Sequence, residues 1–367
     1  TSVGQEEYAA PLWKQYVIVT KRIFQQHWRS PIYIWSKMVL AVVSSLFIGF
    51  SFFKAKNTRQ GLQNQMFGFF MYLMIFNPLL EQGLPTFVEQ RGLYETRERP
   101  SKTFSWKAFI AAQITAEIPW NALVGTAAFF CFYYAVGFYN NASPSGTAAV
   151  NQRGAYAWFF NVLFYIYIGT TSHLVMAPLE LTESAGNVGY LIFTLGLTFC
   201  GVLVSLNKLP GFWKFMYRVS PFTYIVDGFL SNGLANNRVQ CSSTELVRFS
   251  PPSGYNCAQY MESYITKAGT GYLADPLATE NCEFCAISST NDFLRVVGVS
   301  YDRRWRNVGI FIAFIIFNIV GATFLYWLAR VPKKADRVKC VKKEGEVNVP
   351  QSEYSKSMID KEDSTIV

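Results

Sequence analysis

The sequence predicts an all-α membrane protein with six transmembrane helices, an amphipathic helix before them, a re-entrant helical segment and a small disulfide-bonded extracellular cap. Three observations support this fold class. Long apolar runs recur along the chain, basic residues flank them, and four cysteines lie together in one polar block. Of the 367 residues, 51% are hydrophobic and only 16% are charged, whereas soluble proteins carry about 25% charged residues. This composition excludes a disordered chain, a coiled coil and a small disulfide scaffold.

The first predicted element is an amphipathic helix over residues 11–29, for which Pro11 suits the first turn. Because an apolar run follows directly, we expect this helix to lie along a membrane surface. An ordinary soluble helix packed on a core is the alternative. The apolar positions are Leu12, Trp13, Tyr16, Ile23, Phe24, His27 and Trp28, and the polar positions are Lys14, Lys21, Arg22, Gln25 and Arg29.

Six apolar runs follow, and a helix needs about 20 such residues to cross the hydrocarbon layer. The first run contains one lysine, Lys37, which lies near its basic end and is expected to extend toward the interface. The runs cover residues 31–53, 66–80, 118–138, 155–179, 188–206 and 308–328.

The basic residues predict the orientation of the six spans. They cluster before the first run, between the second and third runs and after the sixth run, which is the pattern of cytosolic segments. Both termini are therefore expected in the cytosol. The same placement argues against a nucleic-acid partner, which would require the basic residues to line a folded surface.

The segment between the fifth and sixth runs divides into two parts, each with its own predicted structure. Residues 209–234 are apolar but contain Pro210, Pro221, Gly228 and Gly233, so each piece is too short to cross. They predict a re-entrant helical pair, which requires that protein buries the broken backbone. Residues 235–306 have a soluble composition and predict the extracellular cap.

These predictions divide the chain into five parts. The N-terminus lacks a signal-peptide pattern and an initiator Met, so we expect a processed chain or a piece of a longer one. The tail has the composition of a disordered segment. The parts are residues 1–30 (linker and amphipathic helix), 31–206 (five spans with a cytosolic excursion near 89–99), 207–306 (re-entrant segment and cap), 307–329 (sixth span) and 330–367 (cytosolic tail).

Four cysteines in the cap predict two disulfides, because the extracellular side is oxidising. A zinc site is the alternative, since Cys282 and Cys285 have the spacing of half a zinc ribbon. Three pairings are possible. We favour Cys241–Cys285 with Cys257–Cys282, because this nested arrangement suits a hairpin-like cap. Elsewhere, Cys131 and Cys200 are expected to pack within spans, and Cys340 in the tail is expected to be a reduced thiol.

The sequence contains no Walker A, nucleophile-elbow or zinc-protease pattern, so no catalytic residue and no metal site are predicted. Four ionisable residues lie in or beside the spans, namely Glu81, Glu117, His173 and Glu180. The three glutamates are expected at or near the membrane interface, where a carboxylate needs no function. Asn141 begins the one glycosylation sequon and predicts a glycan on the outer face.

Several long motifs then identify a family resemblance. The runs GLYETRERPSKTFSWKAF, AEIPWN and SPFTYIVDGFLSNGLAN, together with the four-cysteine cap, resemble the pleiotropic drug resistance transporters of fungi. These are ABCG-type ATP-binding cassette exporters. The resemblance extends from Pro11 to about Lys334 and is to the C-terminal membrane domain, which follows the second nucleotide-binding domain.

The resemblance implies roles for particular residues. Residues 11–29 would form the connecting helix, and 89–99 would form the coupling helix that transmits nucleotide-driven motion. The second and fifth spans would line the drug cavity, and Val202 with Leu203 would form an apolar plug. The implied coupling residues are Glu89, Arg91, Tyr94, Arg97 and Arg99, and the implied substrate-binding residues are Phe70, Leu73, Met74, Asn77, Tyr190, Thr194, Leu197 and Thr198.

The implied function is multidrug efflux, with this chain as one membrane half of an ATP-driven exporter of amphipathic xenobiotics in the plasma membrane. ATP and Mg would be bound by nucleotide-binding domains that this chain lacks. The implied partners are those domains, the N-terminal membrane half, membrane lipid and hydrophobic small molecules. Alternatives are a lipid- or sterol-translocating transporter half, a receptor or anchor that uses the cysteine cap, and a lipid enzyme that uses Glu117 and His173.

Overall fold

The computed structural model describes residues 7–204, 206 and 209–331. Its first helix, α1 (Leu12–Arg29), has one buried stripe at helical spacing, formed by Gln15, Val19, Ile23 and His27. The second helix, α2 (Pro31–Ser51), begins with Pro31 in its first turn, which suits a helix start. The amphipathic helix and the first apolar helix are therefore present as predicted, separated by a single residue.

The second predicted run is the middle of a much longer helical segment. It begins with α3 (Arg59–Tyr72), continues through a 3-10 turn (Leu73–Ile75) into α4 (Phe76–Leu93), and ends in a π-helical turn (Tyr94–Glu98). We call residues 59–98 the long segment. At 1.5 Å per residue its length is on the order of 60 Å, which exceeds the thickness of a bilayer.

Four further long helices complete the bundle. The first of them, α5 (Trp106–Val136), passes through Pro119 and ends at Gly137, whose φ of 88° is left-handed. The others are α6 (Thr147–Met176), α7 (Thr182–Thr198) and α12 (Arg304–Arg330). The prediction for residues 188–206 was wrong at its end, because α7 stops at Thr198 and the chain turns through Gly201, with φ of 94°.

The predicted broken helices are two short elements, α8 (Lys214–Val219) and α9 (Pro221–Leu234). Nearly every side chain of α9 from Phe222 to Leu234 is buried. It packs against α6 and α12. Burial in protein is the condition under which broken helices are tolerated near a membrane.

The cap contains a three-stranded antiparallel sheet, so the all-α prediction was wrong for this part. Strand β3 (Cys282–Cys285) lies between β1 (Val247–Phe249) and β2 (Tyr272–Leu273). The helices α10 (Cys257–Ala268) and α11 (Thr290–Val297) complete the cap. Both predicted disulfides are present, Cys241–Cys285 and Cys257–Cys282, with Cα–Cα distances of 6.0 and 5.6 Å.

An aromatic core holds the helices together. Phe69 of α3 stacks on Phe229 of α9 with ring centroids 4.0 Å apart, and Tyr72 stacks on Phe132 of α5 at 4.3 Å. The hydroxyl of Tyr72 donates a hydrogen bond of 2.8 Å to Asn161 Oδ1 in α6. Paired aromatic rings add to the stabilisation that their buried area provides.

Three helical stretches of the described residues are long and apolar enough to cross a membrane, namely Pro31–Ser51, Thr147–Met176 and Tyr301–Arg330. The prediction of six spans goes beyond this finding and stays a prediction. The predicted tail, including Cys340, lies outside the described residues after Val331.

Candidate functional site

The two helices predicted to line a cavity, α4 and α7, pack closely against each other. A Cβ placed on Gly189 of α7 would lie 2.8 Å from Leu80 Cδ2 of α4, so a larger residue would force the buried Leu80 side chain to shift. Beside this contact both helices expose side chains. Five of the eight predicted cavity residues, on α4, on α7 and in the 3-10 turn before α4, are exposed or half-buried, namely Met74, Asn77, Tyr190, Thr194 and Thr198. We call these five residues the open face.

The other three predicted cavity residues lie elsewhere. Phe70 and Leu73 are buried with relative exposures of 5% and 0%, and Leu197 is buried at 5%. Their side chains belong to the hydrophobic core of the chain. Helical spacing alone could not choose between the two faces of α3, because both faces are apolar. Phe67 and Met71 are exposed there instead, and they were not predicted.

One polar contact lies at the open face. The side-chain nitrogen of Asn77 donates a hydrogen bond of 2.9 Å to Oε1 of Glu81, whose side chain is exposed. Glu81 follows the predicted second run, but the helix continues past it without a break. This carboxylate is therefore one helical turn from Asn77 and directly bonded to it.

The predicted plug residues follow the end of α7. Val202 is half-buried and packs against the core, and Leu203 is 55% exposed. Both come after Gly201 in a stretch without regular structure. Their role as a plug is a prediction that these observations do not test.

Three of the predicted coupling residues make contacts within the chain, and two are exposed. Arg91 is buried, and its guanidinium donates to the backbone oxygens of Met176 (3.0 Å), Leu179 (2.6 Å) and Glu180 (3.2 Å) at the end of α6. Met176 is the last residue of α6, so its oxygen has no partner within the helix, and Leu179 and Glu180 lie in the segment between α6 and α7. Arg91 therefore joins the coupling residues to the end of a long helix.

Tyr94 and Arg99 also make contacts within the chain. Tyr94 stacks on Phe109 of α5 with centroids 4.6 Å apart, and Arg99 donates a 2.7 Å hydrogen bond to the backbone oxygen of Arg330. By contrast, Glu89 and Arg97 are exposed. Only these two of the five coupling residues are open to a soluble partner.

An ion pair that was not predicted joins the π-helical turn to α1. Arg22 of α1 forms a bidentate contact with the carboxylate of Glu98, with one of the two contacts at 3.1 Å. The two residues are 76 positions apart, so no local pattern relates them. A bidentate arginine–carboxylate contact fixes geometry as well as charge.

A buried charge cluster lies between α2, α5 and α6, formed by Lys37, Glu117 and His173. Lys37 Nζ is 2.6 Å from Glu117 Oε1, and His173 Nε2 is 2.7 Å from Glu117 Oε2. The hydroxyl of Tyr33 also donates to Glu117. Both side chains are only 6% exposed. Lys37 therefore bonds to Glu117 inside the bundle instead of extending outward as expected, whereas the expectation that Glu117 lies near the interface stays a prediction.

The glycan predicted at Asn141 is incompatible with the structure. Asn141 is 1% exposed, and its side-chain nitrogen donates hydrogen bonds of 2.9 Å to Gln65 Oε1 and to the backbone oxygen of Gly233. A glycan on this nitrogen would have to replace both contacts and enter the core. Asn141 instead joins the loop after α5 to α3 and α9.

Comparisons of the sequence relate this chain to a known family. A family model described as ABC-2 type transporter matches residues 14–234. The Candida glabrata protein named Pleiotropic ABC efflux transporter of multiple drugs PDH1 is 55% identical over 345 residues, which is 94% of this chain and 22% of the relative.

Two further relatives have similar values. The ATP-dependent permease PDR15 of Saccharomyces cerevisiae is 55% identical, covering 92% of this chain and 22% of the relative. The ABC transporter CDR4 of Candida albicans is 57% identical, covering 90% and 22%. The chain therefore spans about a fifth of the length of the curated relatives it matches.

Proposed function

Because this chain belongs to the ABC-2 type transporter family, we propose that it forms one membrane half of an ATP-driven exporter of amphipathic small molecules. The main observation in favour is the long segment. It contains Met74 and Asn77 of the open face and ends in the coupling residues, without a break in the helical backbone. A displacement applied at Glu98 is therefore transmitted to the wall of the cavity.

In this proposal, nucleotide-binding domains outside the chain bind ATP and Mg and supply the movement. The exposed side chains of Glu89 and Arg97 receive it. Arg91, Tyr94 and Arg99 pass it to α6, α5 and α12, because each of them is bound to one of these helices. The helices then move as packed bodies between two arrangements.

The open face supplies the substrate side of the proposal. Met74 is 41% exposed and Tyr190 is 56% exposed. A flexible thioether and an amphipathic ring can repack around unlike ligands. The second membrane half would close the cavity from the other side. The same surface would also accept a lipid or sterol, which is the second candidate substrate class.

The orientation belongs to the same proposal. Six spans, both termini in the cytosol, the cap outside the cell and a plasma-membrane location agree with the basic residues near α1 and the coupling residues. They also agree with the two disulfides in the cap, which require an oxidising compartment.

The test reverses one exposed charge in the complete transporter, as Glu89→Lys or Arg97→Glu. We expect export of a fluorescent substrate to fall at least tenfold while substrate binding is kept, because neither side chain contacts the open face. The matched control is Glu262→Lys, which reverses an exposed charge in the cap. Unchanged export in both coupling variants would refute the assignment. Transport of labelled phospholipid but not drug would favour the second substrate class.

A further inference from the structure

A carboxylate of the cap binds the first turn of α3. Oε1 of Glu245 accepts a 2.7 Å hydrogen bond from the backbone N–H of Gln60, and Oε2 accepts one of 3.3 Å from that of Arg59. Oε2 also accepts a 3.0 Å hydrogen bond from the N–H of Ser242 in the cap. We call the contacts of Glu245 with α3 the cap anchor.

The cap anchor supplies partners that the helix itself lacks. The first N–H groups of an α-helix have no intrahelical acceptor and carry positive partial charge. The hydroxyl of Thr58 accepts from the N–H of Gly61 at 3.0 Å. Glu245 accepts from Arg59 and Gln60, so the N-terminus of α3 is completed by a residue 186 positions away.

Glu245 remains charged at neutral pH. Burial would raise its pKa, but the N–H groups of Gln60, Ser242 and Arg59 outweigh this effect and lower the pKa below its usual value. An ionised carboxylate makes stronger hydrogen bonds to backbone N–H groups than a neutral one does.

The part of the cap that holds Glu245 is itself fixed. Cys241 is bonded to Cys285 of the central strand β3, and its N–H donates a 3.2 Å hydrogen bond to the hydroxyl of Tyr272 in β2. The N–H of Gln240 donates a 3.0 Å hydrogen bond to the backbone oxygen of Asn57. The cap sheet is thus connected to the start of α3 through a short, cross-linked stretch.

The other end of the long segment is also held by a carboxylate, since Glu98 pairs with Arg22 of α1. We therefore propose that Glu245 is a positioning residue of the transport cycle, which makes the cap move together with the long segment. This inference rests on the proposed export function. It predicts that, without the cap anchor, movement at the coupling residues no longer opens the transporter on the cap side.

The test compares Glu245→Gln with Glu262→Gln in the complete transporter. Glu262 is an exposed carboxylate of α10 whose side chain makes no hydrogen bond or ion pair with the described residues. Hydrogen–deuterium exchange is measured at the amides of Arg59 and Gln60. We expect exchange to be about tenfold faster in Glu245→Gln, the effect of losing one charge-assisted hydrogen bond. Glu262→Gln should exchange like the wild type.

The second readout is export together with ATP hydrolysis. We expect Glu245→Gln to lower export several-fold while ATP hydrolysis is kept, and Glu262→Gln to change neither. A further control is Asp292→Asn, which loosens the N-terminus of α11 within the cap but does not contact α3. It should speed exchange in α11 and leave Arg59 and Gln60 unchanged.

A variant on the helix side covers the case in which Glu245→Gln does not fold. Arg59→Pro removes the N–H that donates a hydrogen bond to Oε2 of Glu245. Position 59 lies in the first turn of α3, where proline is tolerated. Thr58 before it is already extended, with ψ of 168°. Arg59→Ala keeps the N–H and is the control. We expect slower export in Arg59→Pro than in Arg59→Ala.

The inference is overturned if exchange at Gln60 is unchanged in Glu245→Gln, or if exchange rises but export equals that of Glu262→Gln. Equal export in Arg59→Pro and Arg59→Ala would also overturn it. A wild-type protein that exports no tested substrate would instead refute the proposed function. The exchange measurement does not depend on transport, so the two failures are distinguishable.

Discussion

Removing Glu117 alone from the buried charge cluster should destabilise the protein more than removing Glu117 together with Lys37. Glu117 contacts Lys37, His173 and Tyr33, whereas Lys37 has Glu117 as its only ion-pair partner among the described residues. Glu117→Gln therefore leaves Lys37 charged, buried and unpaired. Breaking a buried pair in this way costs about 3–5 kcal/mol. Lys37→Met should cost less, because Glu117 keeps His173 and Tyr33.

The double variant Lys37→Met with Glu117→Gln removes both charges. Replacing a whole buried pair by neutral groups of similar size is often close to neutral. We expect the double variant to be more stable than Glu117→Gln alone, with a coupling energy of at least about 2 kcal/mol. The coupling energy is obtained from a double-mutant cycle.

Unfolding of the purified protein in detergent, followed by tryptophan fluorescence, measures these differences. The nine tryptophans of the chain supply the signal, and one of them, Trp120, lies one turn from Glu117 on α5. The control is Lys107→Met, which removes an exposed lysine of the same helix and should change stability by at most about 0.5 kcal/mol. Additive effects of the two single variants would refute the reasoning, since they would mean that the two charges do not stabilise each other.

Three further predictions follow from particular contacts. Gly189→Ala should cost about 1–3 kcal/mol of stability and reduce export, because the new Cβ would lie 2.8 Å from the Leu80 side chain. The control is Gly186→Ala, whose Cβ would lie 3.8 Å from the nearest atom of α4 and which should change little. Replacing Cys257 and Cys282 by serine should cost about 3.5 kcal/mol on a loop-entropy estimate for their separation of 25 residues, measured as the urea midpoint with and without reductant. Burial would raise the pKa of Asp292, but the hydrogen bonds from Ser289 and Ser288 and the charge of Arg295 together lower it. The contribution of Asp292 to stability is therefore present above the unfolded-state pKa and is lost as pH falls through the folded-state pKa. The difference in Tm between wild type and Asp292→Asn should therefore shrink as the pH is lowered from 6 to about 3, and a constant difference would contradict this assignment.

The sequence predicted the helices where a local pattern encodes them. Apolar runs located α2, α6 and α12, and the cap cysteines predicted both disulfides. The extent of the long segment was missed, because Gln82, Thr86 and Glu89 interrupt the apolar run although they are compatible with a helix. Hydropathy indicates which residues suit burial in lipid. A helix can continue through residues that do not suit it.

Contacts between distant positions could not be predicted in the same way. Lys37 and Glu117 are 80 positions apart, and each alone has the pattern of an interfacial charge. Asn141 likewise satisfies a sequon, while its burial depends on Gln65 and Gly233 in two other elements. The burial of Phe70 and Leu73 could not be predicted either, because α3 and the turn after it have apolar residues on both faces. The aromatic core around Phe229 and Phe132 decides which face is buried.

The two held ends of the long segment limit where it can deform. At one end Glu245 binds Arg59 and Gln60, and at the other Glu98 binds Arg22. Between them the hydrogen-bond pattern changes from α-helical to 3-10 at Leu73–Ile75, and a 3-10 stretch inside a helix often marks a hinge. Met74 of the open face lies within this turn. A rotation there would change the cavity wall while both ends stay bound, so stiffening the turn should impair export without changing exchange at Arg59 and Gln60.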